Sequence, residues 1–370
     1  MQISARHERV GIVSTAQTQL RSAWTDAQHI DLISSVVQRA LKGSGLRLKD
    51  VDFVIDSGSD VLDGRSISNC GFLGAMGAHH KEESRVEDDG LWAALYGVTK
   101  IASGSADVGL IIAYSKPSES DVNKFYATLA DPFYQRIVGL DENTSSGLMA
   151  QHYLKKYSLS EEILGEVAAS AWLRASGNPF VELSEVPDLN QVMSSPMVSS
   201  PLRQLMIARP VDGAVAIILA SERFAKRMSS KPVWVTGMGM SMDSNNFVMR
   251  EHGLPACSKA ANMAYARAGM SAENIELTEL SATSAIGELL TMEALGLAAP
   301  GRGIDIIRDS QGTHINASGG ALAANPIMAT GLVRLAEATE RIKETNAASA
   351  LVHGSSGIGA QSHCVFVIEV

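Results

Sequence analysis

Cysteine is scarce in this chain: Cys70, Cys257 and Cys364 are spread over 370 positions with no C-x-x-C pair among them. That scarcity rules against a disulfide framework and predicts no structural zinc or other metal site, leaving free buried thiols as the reading of all three. His79 and His80 stand side by side, and adjacent histidines on one segment seldom point at one ion, so a solvated turn is expected there. No run of about 18 apolar residues occurs and no charged-then-apolar leader opens the chain; neither a membrane span nor a secretory signal is expected, and a cytoplasmic location is. Runs of five or more basic residues are also missing and the formal charge is -9, which removes the electrostatic footprint that nucleic acid requires. The glycine runs lack the spacing and the strand-to-helix context of nicotinamide, flavin or nucleoside-triphosphate loops.

What is abundant points to a well-buried α/β protein. Apolar residues make up 45%, charged ones 19%, and there are 32 glycines, a composition far from that of a disordered chain. A length of 370 residues exceeds one ordinary core, so two similar units or a core with an insertion is expected. The chain in fact repeats weakly when its first ~115 residues are laid against its last ~140. Each part opens with an apolar strand, RVGIVS at 9–14 and PVWVTG at 232–237. ALKGSGLRLKDVDFVI (40–55) then matches AYARAGMSAENIELTE (264–279), setting Gly45 against Gly269 and Asp50 against Asn274. The glycines suit helix C-caps, where a left-handed backbone is needed. VGLIIAY (108–114) and SALVHG (349–354) are almost continuously apolar, as strands covered on both faces are. Two such halves, 1–228 and 229–370, predict a layered α/β/α/β/α sandwich with one mixed sheet from each half. Residues 117–200 have no counterpart in the second half and are expected to form an inserted loop domain that shapes substrate specificity.

Five segments then occur in a telling order. They are GLMAQHYLKKYSLSEE (147–162), RPVDGAVAIILASE (209–222), LSATSAIGELLTMEALGL (280–297), INASGGALAANPIMATGLVR (315–334) and LVHGSSGIGAQ (351–361). In this order they resemble the thiolase superfamily, in the style of sterol-carrier-protein-type thiolases, over nearly the whole chain. The resemblance implies the thiolase fold, a five-layer α/β/α/β/α sandwich of two similar halves with an inserted loop domain. It also implies coenzyme A thioesters as substrates, with no tightly bound cofactor.

The residues that thiolase chemistry needs are replaced. Asn325 precedes Pro326 where the family has a histidine, and His353 stands where the family has a proton-shuttling cysteine. Where the nucleophilic cysteine is expected, Val86 and Glu87 run on into Asp88, Asp89 and Gly90, just before a helix expected over 91–104. Acids there suit helix capping, and Asp89 is alternatively a general base or ionic anchor. An imidazole at 353 is a candidate acid or base, or a strand-end histidine bonded to a backbone carbonyl. Asn325 is a candidate oxyanion donor. Ser281 is read as residual. The glycines of ASGGALAA, Gly319 and Gly320, permit a tight backbone at the pocket wall. Thiolases hold pantetheine through a serine near the position of Ala208, and Arg209 beside it is a candidate phosphate contact or a surface anchor.

Three functions emerge as expectations. The first is a subunit of a heteromeric thiolase or acyltransferase complex in which a sister chain supplies the cysteine. The second is a cysteine-independent retro-aldol lyase of a β-hydroxyacyl-CoA, served by His353, Asp89 and Asn325. The third is a non-catalytic acyl-CoA binding or scaffold protein. The resemblance also implies a homodimer or a heterodimer with a sister thiolase chain, and a small zinc-ribbon/OB-fold partner is a further candidate.

Overall fold

The computed structural model describes residues 8–228, 231–309 and 314–370. The expected boundary between the halves, 228/229, abuts residues 229 and 230, which lie outside the described ones. Among the described residues nine strands form one mixed sheet: β1 (Val10–Gln17), β2 (Phe53–Ser57), β3 (Glu82–Val86), β4 (Val108–Ser115), β7 (Gly213–Ser221), β8 (Val233–Met242), β9 (Leu277–Leu280), β10 (Ser349–Ser356) and β11 (Ser362–Glu369). A short hairpin, β5 (Met197–Ser199) and β6 (Leu202–Arg203), stands apart. The order across the sheet is β3-β2-β4-β7-β1-β8-β11-β10-β9. Two half-sheets are thus evident, but they are not separate. β1 pairs antiparallel with β8 at Val10↔Val235, Gly11↔Trp234 and Ile12↔Val233, and strand twist allows one half to fold over the other from that seam.

The longer helices pack around this sheet and carry the site: α1 (His29–Ser44), α2 (Gly90–Ala102), α3 (Val122–Thr128), α4 (Glu142–Tyr157), α5 (Glu162–Ala175), α6 (Pro255–Ala268), α7 (Ala285–Ala294) and α8 (Thr330–Thr345). The apolar core sorts them into layers. Leu91, Val98 and Ile101 of α2 and Leu332, Leu335 and Ile342 of α8 pack with inward residues of both half-sheets, among them Ile111, Ile217, Val352 and Phe366. The opposite face of the first half-sheet packs on α1 through Val54, Leu110 and Ile218. That of the second packs on α5, α6 and α7 through Leu351, Val365 and Val367. Strands β4 and β7 are buried at every residue, which is why their sequences carry no polar alternation.

The repeat is visible in local geometry. Gly45 and Gly269 end α1 and α6 at φ 72° and 68°. Each is followed by a short 3-10 turn in which Asp50 or Asn274 accepts the backbone N–H three residues before it, from Arg47 and Ser271.

Candidate active site

The two central helices start side by side, and their glycines make this feasible. A methyl group on Gly90 would come within 2.7 Å of the Leu332 Cβ and 2.8 Å of the Ala113 Cβ. Asp89, the N-cap of α2, accepts the Leu91 N–H at 2.9 Å through Oδ1 and the Gly331 N–H at 2.8 Å through Oδ2. Neighbouring backbone is tied to the turn before α8: Gly90 N–H donates to the Met328 carbonyl at 2.7 Å, and the Ser57 hydroxyl donates to the carbonyls of Asp88 and Met328. Met328 itself sits at φ 72°, a conformation that a side chain disfavours and that the surrounding bonds must hold.

Above these helix starts lies a cavity of about 290 Å³. Asp88, Asp89 and Asn325 line it, and so do Tyr126 of α3, Glu142 at the start of α4, Ser281, Thr283, Ser355 and Ser356. Its apolar wall comes from Val61, Phe125, Leu129, Ile327 and Met328. No cysteine is among the described residues lining it. Glu142 is gripped from two sides, with Oε1 accepting the Thr283 hydroxyl at 2.6 Å and Oε2 accepting the Gly359 N–H at 2.8 Å. Burial nevertheless pushes its carboxyl up to about 7. Asp89 is likewise raised to about 7 by burial, against the lowering pull of the Gly331 and Leu91 amides. Burial also raises Asp88, opposed by a hydrogen bond with Ser356. All three shifts reflect the cost of ionising a carboxyl away from water.

Asn325 and Tyr126 form the other polar wall. The Thr330 hydroxyl donates to Asn325 Oδ1 at 2.5 Å, which leaves the Asn325 amide nitrogen to face the Tyr126 hydroxyl, its hydrogen-bond neighbour. Donation from that amide lets the phenol keep its own proton for a ligand. Burial and then the nearby Glu142 charge raise Tyr126 well above the usual phenol range, so it is a neutral donor.

The other sequence-named residues fall elsewhere. His353 is fully buried and faces away from this cavity, pairing through Nε2 with His363 Nδ1 at 3.0 Å. On β10 it alternates with Gly354, and only Gly354 points at Leu91 and Trp92 of α2. Arg209 does not reach toward a phosphate. It donates to the carbonyls of Ala323 (2.8 Å) and Glu182 (2.9 Å) and to the Ser22 hydroxyl, which makes it a clamp on the chain. Ala208 is buried, its N–H on the Thr283 carbonyl. Gly319, at φ 93°, gives room to Ala175 of α5, and Gly320 packs on Asn316; neither lines the cavity. Cys257 and Cys364 are buried as expected, but Cys70 is exposed. No motif marks Tyr126 or Glu142 in the sequence. Both come from the inserted segment, the one signal that pointed toward them.

A second cavity of about 460 Å³ adjoins the first, with Ala360 in both walls. Lys156, Arg250 and the stacked rings of His152 and His252, 3.4 Å between centroids, lie along it. Arg250 also holds the dividing loop, donating to the Ile358 carbonyl at 2.7 Å.

Residues 239–369 match the family described as thiolase C-terminal domain-like. Over 353 residues, 90% of each chain, the protein is 26% identical to an acetyl-CoA acetyltransferase of Methanocaldococcus jannaschii. Residues 239–369 are thus similar to a thiolase C-terminal domain, and the chain over most of its length is similar to thiolases. Solved structures carry the same fold from end to end. The Ltp2-ChsH2(DUF35) aldolase superposes with a TM-score of 0.83 at 20% identity over 98% of both chains. Human mitochondrial 3-ketoacyl-CoA thiolase, solved in complex with CoA, gives 0.75 at 18% identity, again over 98% of both. At the start of α2 this chain has a capping aspartate, Asp89, followed by Gly90. Among the described residues, no helix is long and apolar enough to cross a membrane.

Proposed function

We propose that this chain is a cysteine-independent carbon-carbon lyase that cleaves a β-hydroxyacyl-CoA by a retro-aldol reaction. The observation that carries the reading is the convergence of Glu142, Tyr126 and Asn325 on one cavity whose described lining holds no thiol. A base, a neutral donor and its polariser suffice for a reaction that forms no acyl-enzyme.

The Glu142 carboxylate takes the proton of the β-hydroxyl. The bond between the α and β carbons breaks, the oxygen left on the β carbon forms a carbonyl, and the electron pair passes into the thioester as an enolate. The Tyr126 hydroxyl, polarised by the Asn325 amide, donates to the enolate oxygen. The proton held by Glu142 is then returned to the α carbon. The products are an aldehyde or ketone and a shortened acyl-CoA, with neither water nor an oxidant consumed. Asp89 fixes the cavity floor by binding two helix starts, and His353 takes no part. The adjoining cavity, with Lys156 and Arg250, suits the CoA moiety.

The aldolase among the structural relatives is a complex with a DUF35 protein, which supports a small partner of that kind for this chain too. A self-contained set of polar groups argues against a merely passive half of a heteromeric thiolase. The division into halves near 228/229 is part of the same proposal. The test is incubation of the chain, alone and with such a partner, with β-hydroxyacyl-CoA thioesters, following carbonyl release and acyl-CoA by chromatography. Release of both products in equal amounts, lost in Glu142→Gln, supports the lyase. No cleavage with either preparation, together with tight thioester binding, sinks it in favour of a scaffold.

A further inference from the structure

Three residues that share no sequence motif meet behind β10 and β11, on the face turned away from the cavity of Glu142. They are Cys257, His353 and His363; all are buried, and one ligand-capable atom from each lies within 4.8 Å of the others. His353 and His363 lie on adjacent antiparallel strands, two positions off the direct pairs His353↔Val365 and Ser355↔His363. Their rings therefore face the same side of the sheet. Cys257 comes from α6, which packs across those strands, and it stands at the third position of that helix after the Leu254 cap.

We propose that these residues form a binding site for one zinc-class divalent ion, ligated by the Cys257 thiolate and the two imidazoles, with the fourth position reached from the larger cavity. That cavity is lined by His363 itself.

Several features of the fold argue for it. The His353 Nε2 to His363 Nδ1 distance is 3.0 Å, near the roughly 3.3 Å that two metal-nitrogen bonds span at a tetrahedral centre. Cys257 sits where a helix start stabilises a thiolate. A coordinated ion displaces the Cys257 thiol proton to solvent. A thiolate with two imidazoles is a ligand set of borderline softness that suits zinc and discriminates against magnesium or calcium. The sequence could not reveal it, because positions 257, 353 and 363 have no C-x-x-C or H-x-x-H spacing.

The experiment uses the full chain, grown with added zinc and dialysed against metal-free buffer, and does not depend on the lyase reading. Plasma mass spectrometry should find about one zinc per chain; less than roughly a tenth of an equivalent overturns the site. Cobalt added after chelator treatment should give the intense near-ultraviolet band of a thiolate-cobalt bond, and its absence also overturns the site. Cys257→Ser should remove that band while circular dichroism shows a retained fold, and a band that persists assigns the metal elsewhere and overturns the ligand set. Should that variant fail to fold, the stoichiometry and cobalt spectrum of the unaltered chain decide.

Discussion

Asp89 and Gly331 stand 242 positions apart and are joined by a 2.8 Å hydrogen bond from the glycine N–H to the aspartate Oδ2. The same carboxylate caps α2 through Leu91, so one side chain serves the starts of two central helices. A carboxylate at two helix N-termini gains from both sets of unpaired amides and from both dipoles. Gly331 is required for this, since a Cβ there would lie 2.1 Å from Asp89 Oδ1.

Asp89→Ala leaves two buried amides without an acceptor, and a loss of about 1–3 kcal/mol in urea unfolding is expected. Asp89→Asn carries a sharper test. The native carboxyl is raised from 3.8 to about 7, chiefly by burial, so the folded chain holds its proton more tightly than the unfolded one. Its contribution to stability is then complete below about pH 4 and lost as pH rises through about 7. Asparagine does not titrate. The stability difference should therefore move in favour of Asp89→Asn between about pH 5 and about pH 8. A difference that stays constant would mean that the two amides outweigh burial and keep Asp89 ionised throughout.

Glu142 carries the pH dependence of turnover. Its carboxyl is raised from 4.5 to about 7, and the base form is the ionised one, so kcat/KM should rise with pH to a plateau above about 7. Glu142→Gln keeps the shape and the Thr283 contact but removes the base, and should lower kcat by roughly 10²–10⁴-fold with the pH step abolished. A step that survives in the variant would assign it to another group.

Arg209 separates binding from architecture. Its guanidinium is spent on Ala323, Glu182 and Ser22. Arg209→Ala should lower the thermal midpoint while leaving KM for the CoA thioester unchanged. A several-fold rise in KM at unchanged stability would return Arg209 to the phosphate site that its sequence position suggests.

The layered fold was legible because it rests on long-range patterns. Continuous apolar strands such as VGLIIAY and paired glycine C-caps such as Gly45 and Gly269 leave a mark on the sequence that no single substitution erases. The joining of β1 to β8 left none, since a three-residue seam between two strands has no composition of its own. At the site, Asp89 and Asn325 could be located because the segments around them follow a family pattern. His353 was misplaced by one residue of strand alternation, which sends its ring to the opposite face from Gly354. Tyr126 and Glu142 lie in an insertion without a repeat partner. There the structure starts α4 after its cap Asp141, whose carboxylate accepts the Thr144 N–H at 2.7 Å, and no motif says what faces the cavity.

The chain from Thr330 through Asn325 to Tyr126 predicts graded effects. Tyr126→Phe removes the donor to the enolate oxygen, a charge that exists only as the bond breaks, so kcat should fall about 10²-fold or more with KM little changed. Asn325→Ala leaves the phenol in place but unpolarised, and should produce a smaller loss of the same kind. Thr330→Val frees Asn325 Oδ1, allows the amide to turn its oxygen toward Tyr126, and should resemble Asn325→Ala. Combining Thr330→Val with Tyr126→Phe should add little to Tyr126→Phe alone, because both act through one hydroxyl. Losses that instead multiply in the double variant would show that Thr330 acts independently, and the proposed relay would fall.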